Sequence, residues 1–288
     1  MYIHAYICIC IYKHIPREQT TAYSGEYLGR QRRQSAKMEQ PQSPGTKPVK
    51  LRDSIEELLR FTLQYHVDES VRDIDLELPR DFCLRLLEKH PNSTDRKPAL
   101  YKLLASAFCD CLGSDEQSET SEERGFSKYS NLKKYTELFH DLANMLKNVS
   151  FELHVQECYF TQLKDGLKTV EGRCAVGDYM RISSGAFILF NKCLVLEVQD
   201  VHHYASFAEM LEVEGLDKVL PGVKSIEEGV RVYRQFYPEE KERMNGVLAI
   251  LVVKPNVQPY TSLARVLSEL NCTGIQSLLG DDIAGVSL

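Results

Sequence analysis

The chain has 288 residues, with 35 Lys and Arg against 41 Asp and Glu, a net charge of -6, and 43% hydrophobic residues. That length holds one large or two modest domains with a real core. The acidic balance excludes a protein held to nucleic acid by bulk positive charge. Nine cysteines stand at positions 8, 10, 83, 109, 111, 158, 174, 193 and 272 with no CxxC pair. Such scatter reads as buried thiols in a reducing compartment, with no disulfide framework, no metal site and no cofactor motif.

The opening run Tyr2–Tyr12 is apolar but too short to span a bilayer, and it lacks the basic start and cleavage site of a secretory signal. The basic stretch Arg30–Lys37 and the Pro-, Gln- and Ser-rich residues 39–49 follow. Residues 1–49 therefore read as an unfolded extension and linker, with Met38 as the working start of translation. The expected location is intracellular, nucleus or cytoplasm, with no membrane partner.

From residue 50 to 112 the pattern is helical. Leu51, Ile55, Leu58, Leu59 and Leu63 recur at helical spacing, and Pro79 and Pro98 sit at plausible first helical positions of two more stripes. A small all-α module follows from this, suited to binding a protein partner, with Cys109 and Cys111 as core or near-core thiols. Residues 113–128 are acidic and almost without apolar groups, which predicts a flexible linker. Residues 129–149 predict a linking amphipathic helix through Leu132, Tyr135, Leu138, Phe139, Leu142, Met145, Leu146 and Val149.

After Ser150 the period shortens. Phe151–Val155 alternates, Glu157–Lys164 fits a short helix stopped at Asp165-Gly166, and Tyr179–Ile182 has the look of a strand start. Ala186–Phe190, Cys193–Val198 and Val247–Val253 are of strand length, with a mostly helical insert from Ser206 to Tyr237. The fold class expected for residues 150–255 is α+β, a small β-barrel with inserted helices. Residues 256–288 form an amphipathic C-terminal tail that must cover the barrel, the helical module or a partner. His202-His203 reads as structural or solvated, because neighbours on a strand diverge, and Glu239–Arg243 reads as a solvated charge run.

Within this barrel lies Gly166-Leu-Lys-Thr-Val-Glu-Gly-Arg173, which sets Lys168, Glu171 and Arg173 between two glycines. Spacing alone leaves two readings open, a solvated turn with a salt bridge and a charged ligand site. Strict strand alternation puts Lys168 and Glu171 on opposite faces, so their convergence requires a twist or bulge near Gly172.

The stretch resembles the GxKxxExR signature of the ASCH domain family, with Gly166, Lys168, Glu171 and Arg173 in all four signature positions. The Gly177-Asp178 turn, Phe236-Tyr237-Pro238 and the strand before Lys254-Pro255 add to the likeness, which covers residues 150–255. The helical module and acidic linker resemble those of plant ASCH proteins, whose chains run on past the end of this one. The resemblance implies a PUA-like barrel with a cleft that takes RNA or a nucleoside-like ligand through Gly166, Lys168, Thr169, Glu171 and Arg173. It also implies a link to RNA metabolism or transcription coactivation.

One branch of the family hydrolyses acetylcytidine with a lysine, a threonine three positions later and a glutamate. Here Lys168 is in place, but Glu171 stands where that threonine would be. An amidohydrolase of a modified nucleoside, with Lys168 and Glu171 as its catalytic candidates, is therefore the second reading, and enzymatic activity stays open. A protein-binding coregulator scaffold, working through the helical module and the tail, is the third.

Overall fold

The computed structural model describes residues 51–68, 76–88, 98–113 and 136–280. Expectations for residues 1–49 and 114–128, and for the side chains of Cys111, Leu132, Tyr135 and Leu138, lie outside what it describes. The fold is mixed α+β, a curled half-barrel sheet with many helices, as expected for a PUA-like barrel with helical additions. Its five strands are β1 (Phe151–Leu153), β2 (Val170–Cys174), β3 (Phe187–Phe190), β4 (Leu194–Tyr204) and β5 (Val247–Val253), in the order β1-β3-β4-β5-β2. Two compact units divide the chain.

One unit takes Leu153–Gly185 and Val198–Val253. Here β2 and β5 pair antiparallel from Val170 opposite Leu251 to Cys174 opposite Val247. Strand β5 is an unbroken apolar run, the pattern of a strand covered on both faces. The unit holds α5 (Glu157–Lys164), α6 (Phe207–Glu214), α7 (Leu216–Val219) and α8 (Ile226–Arg234), with α6 packed on both strands, α7 on β2 and α6, and α8 on α6. A fifth, α9 (Glu239–Asn245), precedes β5.

Both α6 and α8 open on a capping arrangement written in the sequence as Ser-x-x-Glu. Ser206 accepts from Glu209 N at 3.1 Å while Glu209 accepts from Ala205 N, and Ser225 and Glu228 repeat it. The core beneath them stacks Phe207 on Tyr233 at 4.1 Å between centroids, with Tyr237 beyond.

Two expectations fail in this unit. Tyr179–Ile182 does not start a strand: Gly177–Arg181 is a 3-10 turn, and it carries Tyr179 into the interior. Glu239–Arg243 is not wholly solvated either. Glu242 is buried, accepts from Phe207 N at 2.6 Å at the start of α6, and pairs with Arg234.

The other unit takes the described residues of Thr46–Glu152, Ala186–Glu197 and Lys254–Leu288. It holds α1 (Leu51–Val67), α2 (Arg80–Leu87), α3 (Leu100–Gly113), α4 (Thr136–Lys147) and α10 (Pro259–Leu279), with the β3–β4 pairing from Phe187 opposite Glu197 to Phe190 opposite Leu194. Helix α1 buries Ile55, Leu58, Leu59 and Leu63, one stripe at helical spacing, against α2, α3 and α10. Pro79 proves to be the N-cap of α2, one residue before its first turn. Cys109 is half-buried.

The C-terminal stretch packs on α1, α3 and α4 through Leu263, Val266, Leu267 and Leu270. Pro259 and the Gln258/Thr261 capping box start α10, and Asn271 at φ 53° breaks it. The Asn271 side chain then accepts from Thr273 N and caps the second segment. Buried Gln258 also binds both backbone polar groups of Val195, the N–H at 3.1 Å and the carbonyl at 3.0 Å.

Candidate functional site

The charged residues of the Gly166–Arg173 stretch converge, by a route the sequence did not suggest. No twist or bulge is needed, because Lys168 precedes β2, which begins at Val170 and pairs in continuous register. Helix α5 stops at Asp165, Gly166 turns the chain at φ 72°, and the N–H groups of Leu167 and Lys168 both return to the carbonyl of Gln162. This tight return aims Lys168 under the strand. Glu171 and Arg173, two apart on β2, share one face by ordinary alternation.

Lys168 Nζ lies 3.2 Å from Glu171 Oε2, and Arg173 Nε lies 2.8 Å from Glu171 Oε1. The three side chains keep 2%, 8% and 6% of their surface exposed for Lys168, Glu171 and Arg173. The edge strand β2 is entirely buried and yet carries two charges. Pairing makes it tenable, since each charge has its opposite in contact.

Lys168 is committed in three directions. Its ammonium donates to the carbonyl of Val170 at 2.7 Å and to that of Val219 at 2.5 Å, besides facing Glu171. The bond to Val219 ties the start of β2 to the end of α7, and Thr169 N adds a bond to the carbonyl of Lys218. Burial pulls the Lys168 pKa below the usual lysine value in spite of Glu171. As an ammonium its three N–H directions are taken by two carbonyls and a carboxylate.

Burial opposes the charge of Glu171, but Lys168 and then Arg173 outweigh it, and the carboxyl is held below its usual range. Burial likewise opposes the charge of Arg173, yet Glu171 keeps the guanidinium above its ordinary value. The cluster thus carries two cations and one anion, a net charge of +1 in a buried place.

Aromatic rings enclose these charges. Lys168 Nζ stands 5.9 Å from the Tyr159 ring centre and the Arg173 guanidinium 5.6 Å from that of Tyr179. Tyr233 presses on Gly172, where an added Cβ would fall 2.4 Å from its hydroxyl and 2.7 Å from Met210 Cε. Burial raises the pKa of Tyr237 to about 12. Arg173 stands within hydrogen-bonding reach of the Tyr237 hydroxyl as well as of Glu171.

Arg173 Nη2 donates to the carbonyl of exposed His154 at 3.0 Å, so its guanidinium reaches toward the outer layer of the unit. Around the cluster Gly166 and Leu167 are exposed, Thr169 is half-buried, and Lys218 is exposed.

The tyrosines are the part of the site that residue spacing missed. The chain has 15 Tyr and no Trp, and Tyr159, Tyr179, Tyr233 and Tyr237 all fall in the barrel segment, which was the available signal. His202 is not idle either: it bridges two carboxylates, while His203 beside it is exposed. Among the described residues no group of three or more His, Cys, Asp or Glu is placed to hold a metal ion, and no helix is long and apolar enough to cross a membrane.

No curated protein matches the chain significantly. Among solved structures, the chain is similar to the crystal structure of hypothetical protein PH0355 at 48% identity, covering 36% of this chain and 97% of that one, with a TM-score of 0.36. It is also similar to the solution NMR structure of protein PF0455 from Pyrococcus furiosus at 45% identity, covering 37% of this chain and 97% of that one, with a TM-score of 0.34. A protein-family model described as the ASCH domain matches residues 153–256, the span that holds the Lys168–Glu171–Arg173 cluster. Over residues 153–256 the chain is thus similar to the ASCH domain family.

Proposed function

We propose that the ASCH unit binds RNA or a nucleotide-like ligand, with Lys168, Glu171 and Arg173 as the charged floor of its site. The observation that carries this reading is the net charge of +1 left in the buried cluster of Lys168, Glu171 and Arg173. A buried surplus cation favours an anionic or acceptor-rich partner, and phosphate oxygens or a base edge supply both. Half-buried Tyr159 offers a ring beside Lys168. Residues 150–255 contain 12 basic and 16 acidic side chains, so attraction for a polynucleotide has to be local.

In this reading Lys168 and Glu171 hold the shape of the site, and Arg173 with the Gly166–Thr169 turn meets the ligand. That division favours binding over amide hydrolysis, because the ammonium of Lys168 is fully engaged. A role in RNA metabolism or transcription coregulation is the setting such binding would serve. The helical unit, with α10 packed on it, would present the surface for a protein partner.

Anisotropy titration of the full chain with short single-stranded and structured RNAs at several salt concentrations tests the reading. Saturable binding with a slope of about -1 to -2 in log K against log salt is expected, from one or two phosphate contacts. Arg173→Lys keeps the charge but removes the planar fork, and should weaken binding at least about tenfold. No binding at low salt, together with release of cytidine from acetylcytidine, would replace this reading with the hydrolase.

A further inference from the structure

A second ionisable cluster lies in the same unit, on β4 and α6. Asp200, His202 and Tyr204 alternate along β4 and share one face, and Glu214 reaches them from the last turn of α6. His202 Nδ1 is 2.6 Å from Glu214 Oε1, and His202 Nε2 is 3.1 Å from Asp200 Oδ2. The Tyr204 hydroxyl donates to the same Glu214 oxygen at 2.6 Å. A carboxylate only accepts, so both ring nitrogens must donate, and the ring in this arrangement is an imidazolium. A neutral ring donates once, which leaves one carboxylate facing a nitrogen lone pair.

The clasp has a mechanical consequence. Met210 stands four residues before Glu214, on the same side of α6, and its Cε packs on Gly172 between Glu171 and Arg173. Whatever fastens Glu214 to β4 therefore fixes how α6 rests on β2. We propose that His202 is a proton-operated clasp: protonated, it fastens the C-terminal end of α6 to β4, and on deprotonation it lets that end, with Met210, shift over β2.

The groups facing His202 are Asp200 from β4 and Glu214 from α6, while Tyr204 joins through Glu214 and also feels Glu209. The hydrogen bond to Glu214, the largest influence, and that to Asp200 outweigh burial, and the imidazole pKa lies above its ordinary value. A raised histidine pKa stabilises the fold below the unfolded value of about 6.5, and the contribution is lost as pH rises through the folded value. The side chain is 41% exposed, so the proton exchanges freely with solvent.

The test uses the full chain without ligand, so its failure is distinct from failure of the RNA reading. The six methionines are labelled with carbon-13 at the methyl group, and Met210 is assigned with Met210→Leu. Its methyl resonance and the His202 ring protons are followed from about pH 5 to pH 9. Both should move with one midpoint above about 6.5, and Glu214→Gln should lower that midpoint for both. In His202→Gln the Met210 methyl should be flat across the range. Titration of His202 at or below its ordinary value, or a Met210 methyl that stays still while His202 titrates, would overturn the proposal.

Discussion

Replacing Glu171 with Gln is the sharpest perturbation of the charged cluster. Among the described residues the carboxylate is the one counter-charge paired with two buried cations, at 3.2 Å from Lys168 Nζ and 2.8 Å from Arg173 Nε. A glutamine fits the same space, but its oxygen can face only one of them, and its amide nitrogen, a donor, then confronts the other. Breaking a buried ion pair by removing one partner costs about 3 to 5 kcal/mol, because the charge left behind stays desolvated. A domain of this size holds roughly 5 to 15 kcal/mol in all, so about a fifth or more of the stability of the unit is at stake.

The chain has no tryptophan, so urea unfolding is followed by far-ultraviolet circular dichroism. Two compact units call for fitting two transitions if two appear. The transition of the ASCH unit should move to lower urea, with the other unmoved. A loss under about 1 kcal/mol would refute the reasoning, since it would mean that solvent already screens the cluster.

Further outcomes follow from the same geometry. Gly172→Ala should cost about 1 to 3 kcal/mol, because the new methyl would meet Tyr233 and Met210 inside 3 Å and Tyr233 is held by its stack on Phe207; denaturant midpoints measure it. Gln258→Ala should cost about 1 to 3 kcal/mol in the helical unit, since the N–H and carbonyl of buried Val195 lose their partner; thermal unfolding of the variant checks this. The depressed pKa of Glu171 means that its stabilisation is whole above the unfolded value of about 4.3 and is lost as pH falls through the folded value. The stability gap between the wild type and Glu171→Gln should therefore narrow in acid and stay constant near neutrality, as urea titrations at stepped pH would register.

Much of the architecture was legible because its signals are local. The unbroken apolar run of β5, the Asp165-Gly166 stop of α5 and the apolar stripes of α1 and α10 each announce their element within a few residues. The Gly166–Arg173 signature likewise pointed to three side chains that the fold brings together.

What escaped depends on partners distant in the chain. Glu242 read as one more solvated carboxylate because neither Arg234 nor the N–H of Phe207 is visible as its partner in the sequence. Gly177–Arg181 read as a strand start because Tyr-Met-Arg-Ile alternates, yet Tyr179 turns inward onto Arg173. The polar outer half of β4 hid its length: Asp200, His202 and Tyr204 face Glu214, a pairing that belongs to the packing of α6. Lys168 looked misplaced only under the assumption that it lay on the strand.

The central claim is that Arg173, at the edge of a cluster with one surplus positive charge, meets an RNA or nucleotide ligand. Its Nε–H resonance, protected by burial, can be followed in proton–nitrogen spectra while a single-stranded RNA is added, with Arg173→Lys providing the assignment. The account predicts a shift that saturates with the dissociation constant measured by anisotropy. An unmoved Nε–H resonance while anisotropy reaches saturation would place the ligand elsewhere and contradict it.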